Sequence, residues 1–235
     1  GAMCVSFSGR CVISNYMTGR DASRGACAQP CRYKYALMEE QRPGEYFPVE
    51  EDIEGTYLFN SKDMCMIDHV PELLDSGLDS LKIEGRAKSA YYAAAVTNAY
   101  RHAIDAALAG QPLDPVWRAE LDKVSHRPYS EGFWYGHPEQ YVGDSRYVRD
   151  WQVKAVVTAC SADGDAIISL RNKFSVGDTL ELIGPGLTPV AFQVEELQDS
   201  LGVPVKEART PQTTLRIPLP CQPPPLSILR MKCGN

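Results

Sequence analysis

Four cysteines near the start of this 235-residue chain constrain it more than any other feature. They stand in a glycine- and arginine-rich opening, with 6, 15 and 37 residues between successive members: Cys4, Cys11, Cys27 and Cys65. Four thiolates gathered by loops suit an iron–sulfur cluster, in which each iron takes one protein sulfur, and nearby arginines offset the negative charge of the sulfurs. Tetrahedral zinc is an open alternative, because none of the intervals is the short Cys-x-x-Cys of common zinc and ferredoxin sites.

Several motifs around these cysteines resemble the peptidase U32 family. They are Ser8-Gly9-Arg10-Cys11, the run Arg24–Tyr33, and Leu81–Arg86 with Tyr91-Tyr92. That family includes collagenase-like proteins, enzymes that hydroxylate uridine in transfer RNA or cytidine in ribosomal RNA, and proteins of anaerobic ubiquinone hydroxylation. The resemblance is strong from Cys4 to about Asp105 and looser around residues 172–178.

The resemblance implies a cofactor, a reaction and a set of site residues. In the hydroxylase branches four cysteines hold a [4Fe–4S] cluster, and they map here onto Cys4, Cys11, Cys27 and Cys65. Prephenate is the oxygen source, and an RNA base receives the hydroxyl. An appended barrel with little chain after it favours the branch that modifies uridine in tRNA. The chain is expected to be a C-terminal part whose N-terminal half is missing, inactive alone.

Charge patterning predicts a cationic mouth beside the cysteines. Between Gly9 and Tyr35 the chain has five basic residues against Asp21, and an acidic run follows from Glu39 to Glu54. Such a patch suits a polyanion or a small dicarboxylate, since arginine forks match carboxylate and phosphate. We therefore predict substrate binding by Arg10, Arg24, Arg86 and Tyr91. A solvated surface patch is an equally open alternative, and the net charge of −6 argues against binding nucleic acid by bulk attraction.

The strand predicted over Leu78–Ile83 ends at Glu84-Gly85-Arg86. In a (β/α) barrel the carboxyl ends of the strands carry the active site, and the resemblance implies such a barrel. We therefore predict catalytic roles for Arg24, Glu84 and Arg86. An internal ion pair that orients a loop is the alternative for Glu84 and Arg86.

The spacing of apolar residues and turn formers along the chain predicts α/β structure followed by all-β structure. The first domain, residues 1–126, would hold the closing βα units of a TIM-like barrel, with a β-hairpin inserted around Pro43-Gly44. Its helices are expected over residues 66–76, 89–108 and 112–123. The second domain, residues 127–235, would be a small antiparallel β-barrel, because short alternating strands with turn signals follow one another closely. The strands are predicted around residues 153–157, 166–170, 179–183, 190–194, 215–217 and 226–229.

Other function classes find less support in the residues. The four histidines form no His-Glu-x-x-His helix, and no serine stands in a nucleophile elbow. A collagenase-like peptidase remains the second hypothesis, and a non-catalytic zinc- or RNA-binding fragment the third. We predict a cytoplasmic protein with reduced thiols, because neither a signal peptide nor an apolar run of membrane length is visible. Cys160 is expected to pack as a small hydrophobic residue.

Overall fold

The computed structural model describes residues 9–33, 35–38, 43–44, 46–48, 62–136 and 147–233. The chain forms two compact units, and each is built from two separate stretches. Residues 1–66 and 126–147 form what we call the cysteine unit. Residues 67–125 and 148–235 form what we call the sheet unit.

The cysteine unit begins with a short helix and a β-hairpin. Helix α1 spans Ile13–Thr18, and single 3-10 turns follow at Ala22–Arg24 and Pro30–Arg32. Strands β1 (Ala36–Met38) and β2 (Tyr46–Pro48) pair antiparallel, so the predicted hairpin is confirmed. Apolar and aromatic residues at 56–59 also predict a short strand next to this hairpin, and those residues lie outside the described ones.

A parallel pair of very short strands closes the cysteine unit. Strand β3 (Asp63–Met64) pairs with β4 (Tyr129–Ser130), with Asp63 opposite Tyr129 and Met64 opposite Ser130. Parallel strands cannot be joined by a tight turn, and residues 65–128 lie between these two in the sequence. Neither of these strands was predicted from the sequence.

The sheet unit begins with helices, and the three predicted helical segments are confirmed. After a 3-10 turn at Ile67–His69 come α2 (Val70–Asp75), α3 (Ala90–Leu108) and α4 (Pro115–Glu120), and a 3-10 turn over Leu121–Lys123 follows α4. The caps explain the starts: the Ser89 hydroxyl accepts from the Tyr92 amide at 3.2 Å, and the Asp114 carboxylate accepts from the Val116 amide at 2.9 Å.

The strand predicted over Leu78–Ile83 is wrong. The backbone there is irregular, and most of its side chains are exposed, Leu78 among them at 52%. A strand needs a neighbour to satisfy its amides and carbonyls, and no described segment pairs with this one. Glu84 and Arg86 therefore do not follow a strand. The TIM-like barrel is not shown by the described residues.

A seven-stranded antiparallel sheet forms the rest of the sheet unit. Its hydrogen-bonded order is β10-β12-β6-β5-β13-β8-β9, and β7 and β11 form a separate antiparallel pair. The strands are β5 (Trp151–Cys160), β6 (Asp165–Leu170), β7 (Phe174–Ser175), β8 (Thr179–Gly184), β9 (Leu187–Gln193), β10 (Gln198–Asp199), β11 (Glu207–Ala208), β12 (Thr214–Pro218) and β13 (Ile228–Lys232). All six predicted strands are present. Their antiparallel pairing is confirmed. Among the described strands, β10 and β9 are the two edge strands of the sheet, so the predicted barrel is not shown.

The main core lies on one face of this sheet. Alternate residues of β6 are fully buried, as are alternate residues of β8, and Cys160 packs against this core as predicted. Gly164 makes the turn from β5 to β6 with a φ of +88°, and a Cβ there would lie 2.8 Å from the Leu219 carbonyl oxygen. In the described part of the chain, no helix has the length and apolarity to span a bilayer.

Candidate metal centre

Helix α1 and the Cys27 loop are locked together through one buried serine. Ser14 is fully buried, and its hydroxyl accepts a 2.9 Å hydrogen bond from the Ala28 amide. The Ser14 carbonyl in turn accepts from the Thr18 hydroxyl at 2.6 Å. Cys11 precedes the helix and Cys27 precedes Ala28, so this bond fixes the two segments that carry the cysteines.

The Cys27 sulfur already receives a backbone hydrogen bond. The Gln29 amide donates to Cys27 Sγ at 3.3 Å, and Gln29 holds a left-handed φ of 58°. A residue other than glycine adopts that backbone at a cost, and such strain clusters at functional sites. Hydrogen bonds to the sulfurs are one means by which a protein tunes an iron–sulfur cluster.

Cys65 stands at the carboxyl end of the parallel pair. It follows β3 directly, its amide donates to the Ser130 carbonyl at 2.9 Å, and only 7% of its surface is exposed. Cys11 and Cys27 are half-buried, and all three thiols are free of disulfides. The ladder thus positions Cys65 in the same unit as the Cys11 and Cys27 loops.

A buried ion pair lies next to Cys65. Asp63 and Arg127 each expose only 3% of their surface, with Asp63 Oδ1 3.7 Å from Arg127 Nε and Oδ2 accepting from the Arg127 amide at 3.2 Å. Arg127 also donates to the Tyr147 hydroxyl at 3.0 Å. Burial lowers the pKa of Arg32 below its ordinary value, and the neighbouring Arg127 guanidinium lowers it further. The positive charge of Arg127 thus acts on Arg32, and the negative charge of Asp63 offsets part of it.

The donor chemistry of these residues fits an iron–sulfur cluster. Three thiols outside any disulfide, a backbone amide that donates to one sulfur, and two guanidiniums near the segments that carry Cys31 and Cys65 suit a negatively charged cluster. Cys4, the fourth predicted ligand, lies outside the described residues. Within the described ranges no three histidine, cysteine or acidic side chains stand close enough to hold one metal ion. The ligand set therefore stays a prediction.

The predicted substrate arginines lie on the surface. Arg10 and Arg86 are exposed, and the Arg24 side chain is 86% exposed with its Nε 3.9 Å from Asp21. Glu84 Oε1 accepts from the Arg86 backbone amide at 2.9 Å, which shapes the turn after Gly85. Arg10 and Arg24 belong to the cysteine unit, whereas Glu84 and Arg86 belong to the sheet unit. Their convergence on one cavity stays a prediction.

Tyr91 takes part in a buried polar network of the sheet unit. Its hydroxyl donates to the Lys123 carbonyl at 2.9 Å and accepts from Arg230 at 3.0 Å. Arg230 is fully buried and also donates to Glu120 at 2.6 Å and to Glu181 at 2.8 Å. Burial disfavours the charged form of Arg230. The hydrogen bond with Glu120 and the negative charges of its neighbours outweigh that effect and raise the pKa of Arg230. We call these five residues the Arg230 network.

Tyr91 makes the sheet unit sensitive to alkali. Burial raises the pKa of its phenol to about 12 from an ordinary value of 10. As pH rises from 10 towards 12, the unfolded phenol ionises first, so the free energy of unfolding should fall across that window. Chemical denaturation at pH 9 and pH 11 measures the loss, and Tyr91→Phe should show a smaller loss than the wild type. Equal losses in the two proteins would contradict this assignment.

Comparison with known sequences places the chain in a family. The sequence model of peptidase family U32 matches residues 1–144, and that of the U32 C-terminal domain matches residues 149–230. The chain belongs to peptidase family U32. The resemblance inferred from the cysteine motifs is thereby confirmed.

Curated relatives of this U32 chain carry two kinds of name. It is 35% identical to tRNA hydroxylation protein P of Escherichia coli, over 94% of this chain and 58% of that protein. It is 33% identical to tRNA hydroxylation protein P1 of Bacillus subtilis, over 98% of this chain and 56% of that protein. It is 41% identical to an uncharacterized protease of Methanocaldococcus jannaschii, over 84% of this chain and 50% of that protein. The chain thus spans about half the length of the curated relatives it matches.

Among solved structures, one similar chain is the C-terminal domain of a putative U32 peptidase from Geobacillus thermoleovorans. It is 23% identical, the match covers 34% of this chain and 99% of that one, and the TM-score is 0.33.

The Arg230 network spans both family matches of the U32 chain. Tyr91, Glu120 and Lys123 lie within the first match, and Glu181 and Arg230 lie within the second. This network was not predicted from the sequence. The pairing of β13 with β5 shifts register between Leu229 and Arg230, and both residues are buried. Alternation along a strand would have made Arg230 the exposed neighbour of a core leucine.

Proposed function

We propose that this chain is part of an iron–sulfur enzyme that hydroxylates a uridine in tRNA. The observation that carries the proposal is the cysteine unit itself: buried Cys65 at the end of a parallel ladder, with Cys11 and Cys27 on segments joined through Ser14. The 35% identity to tRNA hydroxylation protein P of Escherichia coli supports the same reaction. The partners would be tRNA, a small dicarboxylate, and the rest of the protein.

Different residues would bind the cluster, offset its charge and bind the substrates. Cys4, Cys11, Cys27 and Cys65 would hold a [4Fe–4S] cluster, which supplies a redox-active iron centre when bound, and prephenate would supply the oxygen atom. Arg32 and Arg127, both in the cysteine unit, would offset the charge of the thiolates. Exposed arginines such as Arg24 can bind the carboxylates of prephenate or an RNA phosphate, for which the guanidinium fork is suited.

Anaerobic reconstitution with ferrous iron and sulfide tests the cofactor. The wild-type chain should retain about four irons with matching acid-labile sulfide and a broad visible absorbance. Cys27→Ser should lose most of that iron, whereas Cys160→Ser, which alters a thiol packed on the core of the sheet, should retain it. Zinc retained in place of iron, or equal iron in both variants, would contradict the cluster.

Deletion of the gene tests the reaction. Mass spectrometry of digested tRNA should show loss of a hydroxylated uridine, which the intact gene restores and the Cys27→Ser gene does not. A peptidase is the second candidate, because the relative from Methanocaldococcus jannaschii carries a protease name. Unchanged tRNA in the deletion strain, together with gelatin cleavage by the purified protein, would replace the first proposal with the second.

A further inference from the structure

The loop of residues 27–33, which begins at Cys27, is held by hydrogen bonds between its own members. The Ala28 carbonyl accepts from the Tyr33 hydroxyl at 3.0 Å, and the Gln29 carbonyl accepts from the Arg32 amide at 3.0 Å. The side-chain oxygen of Gln29 also accepts from Arg32 Nη1 at 2.8 Å. These bonds join residues at most five positions apart, so they fix the shape of the loop locally.

The two backbone amides that follow Cys27 both donate to side chains. The Ala28 amide donates to Ser14 Oγ at 2.9 Å, and the Gln29 amide donates to Cys27 Sγ at 3.3 Å. The second bond goes with the left-handed backbone of Gln29, whose φ is 58°. Residues other than glycine adopt that conformation at a cost. The loop therefore keeps an unfavourable backbone conformation at the residue whose amide reaches the sulfur.

Ser14 is the point at which helix α1 holds this loop. Ser14 is fully buried, whereas Ile13, Tyr16 and Met17 of the same helix are exposed. A surface helix ordinarily buries its apolar side chains instead. The hydrogen bond with the Ala28 amide explains the exception, because an amide that loses its acceptor away from water costs stability. Ser14 is thus buried for its hydroxyl oxygen.

We infer that Ser14 is a positioning residue of the proposed cluster, holding the loop so that the Gln29 amide donates to the Cys27 sulfur. The inference rests on the proposed function and deepens it, because it assigns the residues that orient one ligand. Residues that orient a metal ligand commonly govern metal affinity. An N–H that donates to a ligand sulfur also stabilises added negative charge, so it raises the reduction potential of a cluster.

Ser14→Ala tests the inference on the anaerobically reconstituted chain, because it removes one oxygen atom from the loop's attachment. The concentration of an iron chelator that removes half of the iron should fall about tenfold. The reduction potential of the remaining cluster should also fall, because the bond from the Gln29 amide to the sulfur is weakened. A residue that acts on folding alone would leave the potential of the intact cluster unchanged.

Thr18→Val is the matched control. It removes a hydroxyl from the same helix, one that donates to the Ser14 carbonyl at 2.6 Å, so its bond stays within α1. The chelator concentration and the reduction potential should both match the wild type.

Substitutions at Gln29 test the same bond without touching Ser14. Gln29→Gly keeps the backbone amide and adopts a positive φ readily, so the potential should stay at the wild-type value although the side-chain bond from Arg32 is lost. Gln29→Val should lower the potential, because a β-branched residue disfavours the left-handed backbone. Equal potentials in the wild type, Ser14→Ala and Gln29→Val would overturn the inference. If Ser14→Ala does not fold, the two Gln29 variants decide it.

The role of Ser14 and the proposed function can fail separately. A wild-type chain that binds the cluster, with Ser14→Ala equal to it in chelator resistance and potential, would overturn the role of Ser14 and leave the cluster standing. A cluster that depends on Ser14, in a protein whose gene deletion leaves tRNA unchanged, would overturn the hydroxylation and keep the positioning role. A wild-type chain that takes up no iron would overturn both.

Discussion

Replacing Arg230 with Met should lower the free energy of unfolding by about 3–5 kcal/mol, which is the usual cost of breaking a buried ion pair from one side. The substitution leaves Glu120, which is 3% exposed, without its guanidinium partner, and it weakens the support of Glu181. Lys123, 3.0 Å from Glu120 and 2.8 Å from Glu181, compensates only in part. Denaturant unfolding followed by the fluorescence of Trp151, whose ring lies 5.1 Å from the Arg230 guanidinium, measures the effect.

Arg216→Met is the matched control for that substitution. Arg216 lies on β12 in the same sheet, is 47% exposed, and faces Asp165 at 3.7 Å. An exposed pair of this kind contributes about 0–1 kcal/mol, so the control should stay near the wild type. Adding Glu120→Gln to Arg230→Met should recover part of the loss, because it removes the stranded charge. A loss below about 1 kcal/mol for Arg230→Met would show that water enters the network.

Asp63→Ala should destabilise the cysteine unit by a similar amount, about 3–5 kcal/mol. Arg127 would remain buried, under the repulsion of the Arg32 charge and without the carboxylate that pairs with it. The same substitution removes the acceptor for the Arg127 backbone amide beside the β3–β4 ladder. Opening of that ladder would expose Cys65, so its thiol should react with an alkylating agent much faster than in the wild type.

Asp105→Ala is the control for this experiment. Asp105 is 60% exposed and pairs with Arg101 one turn away on α3, so its removal should change stability by about 0.5 kcal/mol or less. Unchanged alkylation of Cys65 in Asp63→Ala would mean that the ladder holds without its buried pair.

The sequence predicted the elements whose signals are local. Helix α3 begins after a serine cap and α4 after an aspartate with proline at its first position, and both signals lie within a few residues. Strands β6, β8 and β12 alternate between buried and less buried side chains, as a sheet with one covered face requires. The cysteine motifs were enough to identify the family.

What could not be predicted depends on partners far away in the chain. Strands β3 and β4 have two residues each, which is too few for any periodicity. The apolar alternation of residues 78–83 resembled a strand, but those residues have no ladder partner in the described chain. The burial of Arg230 could not be predicted, because the pairing of β13 with β5 shifts register between Leu229 and Arg230. Among the predicted site residues, Cys11, Cys27 and Cys65 prove to share one unit, whereas the roles of Arg10, Arg24, Glu84 and Arg86 depend on geometry that sequence does not carry.

The β3–β4 ladder also has a consequence for the order in which the protein is made. Asp63 cannot meet Tyr129 until residues 65–128 have been synthesised, and closing a loop of that length costs on the order of 4 kcal/mol in chain entropy. A nascent chain that has released Cys11, Cys27 and Cys65 from the ribosome therefore still lacks the strand that positions Cys65. Helices α2, α3 and α4, whose contacts are local in sequence, can form during that interval. Cys65 therefore reaches its place in the cysteine unit only after Ser130 has emerged.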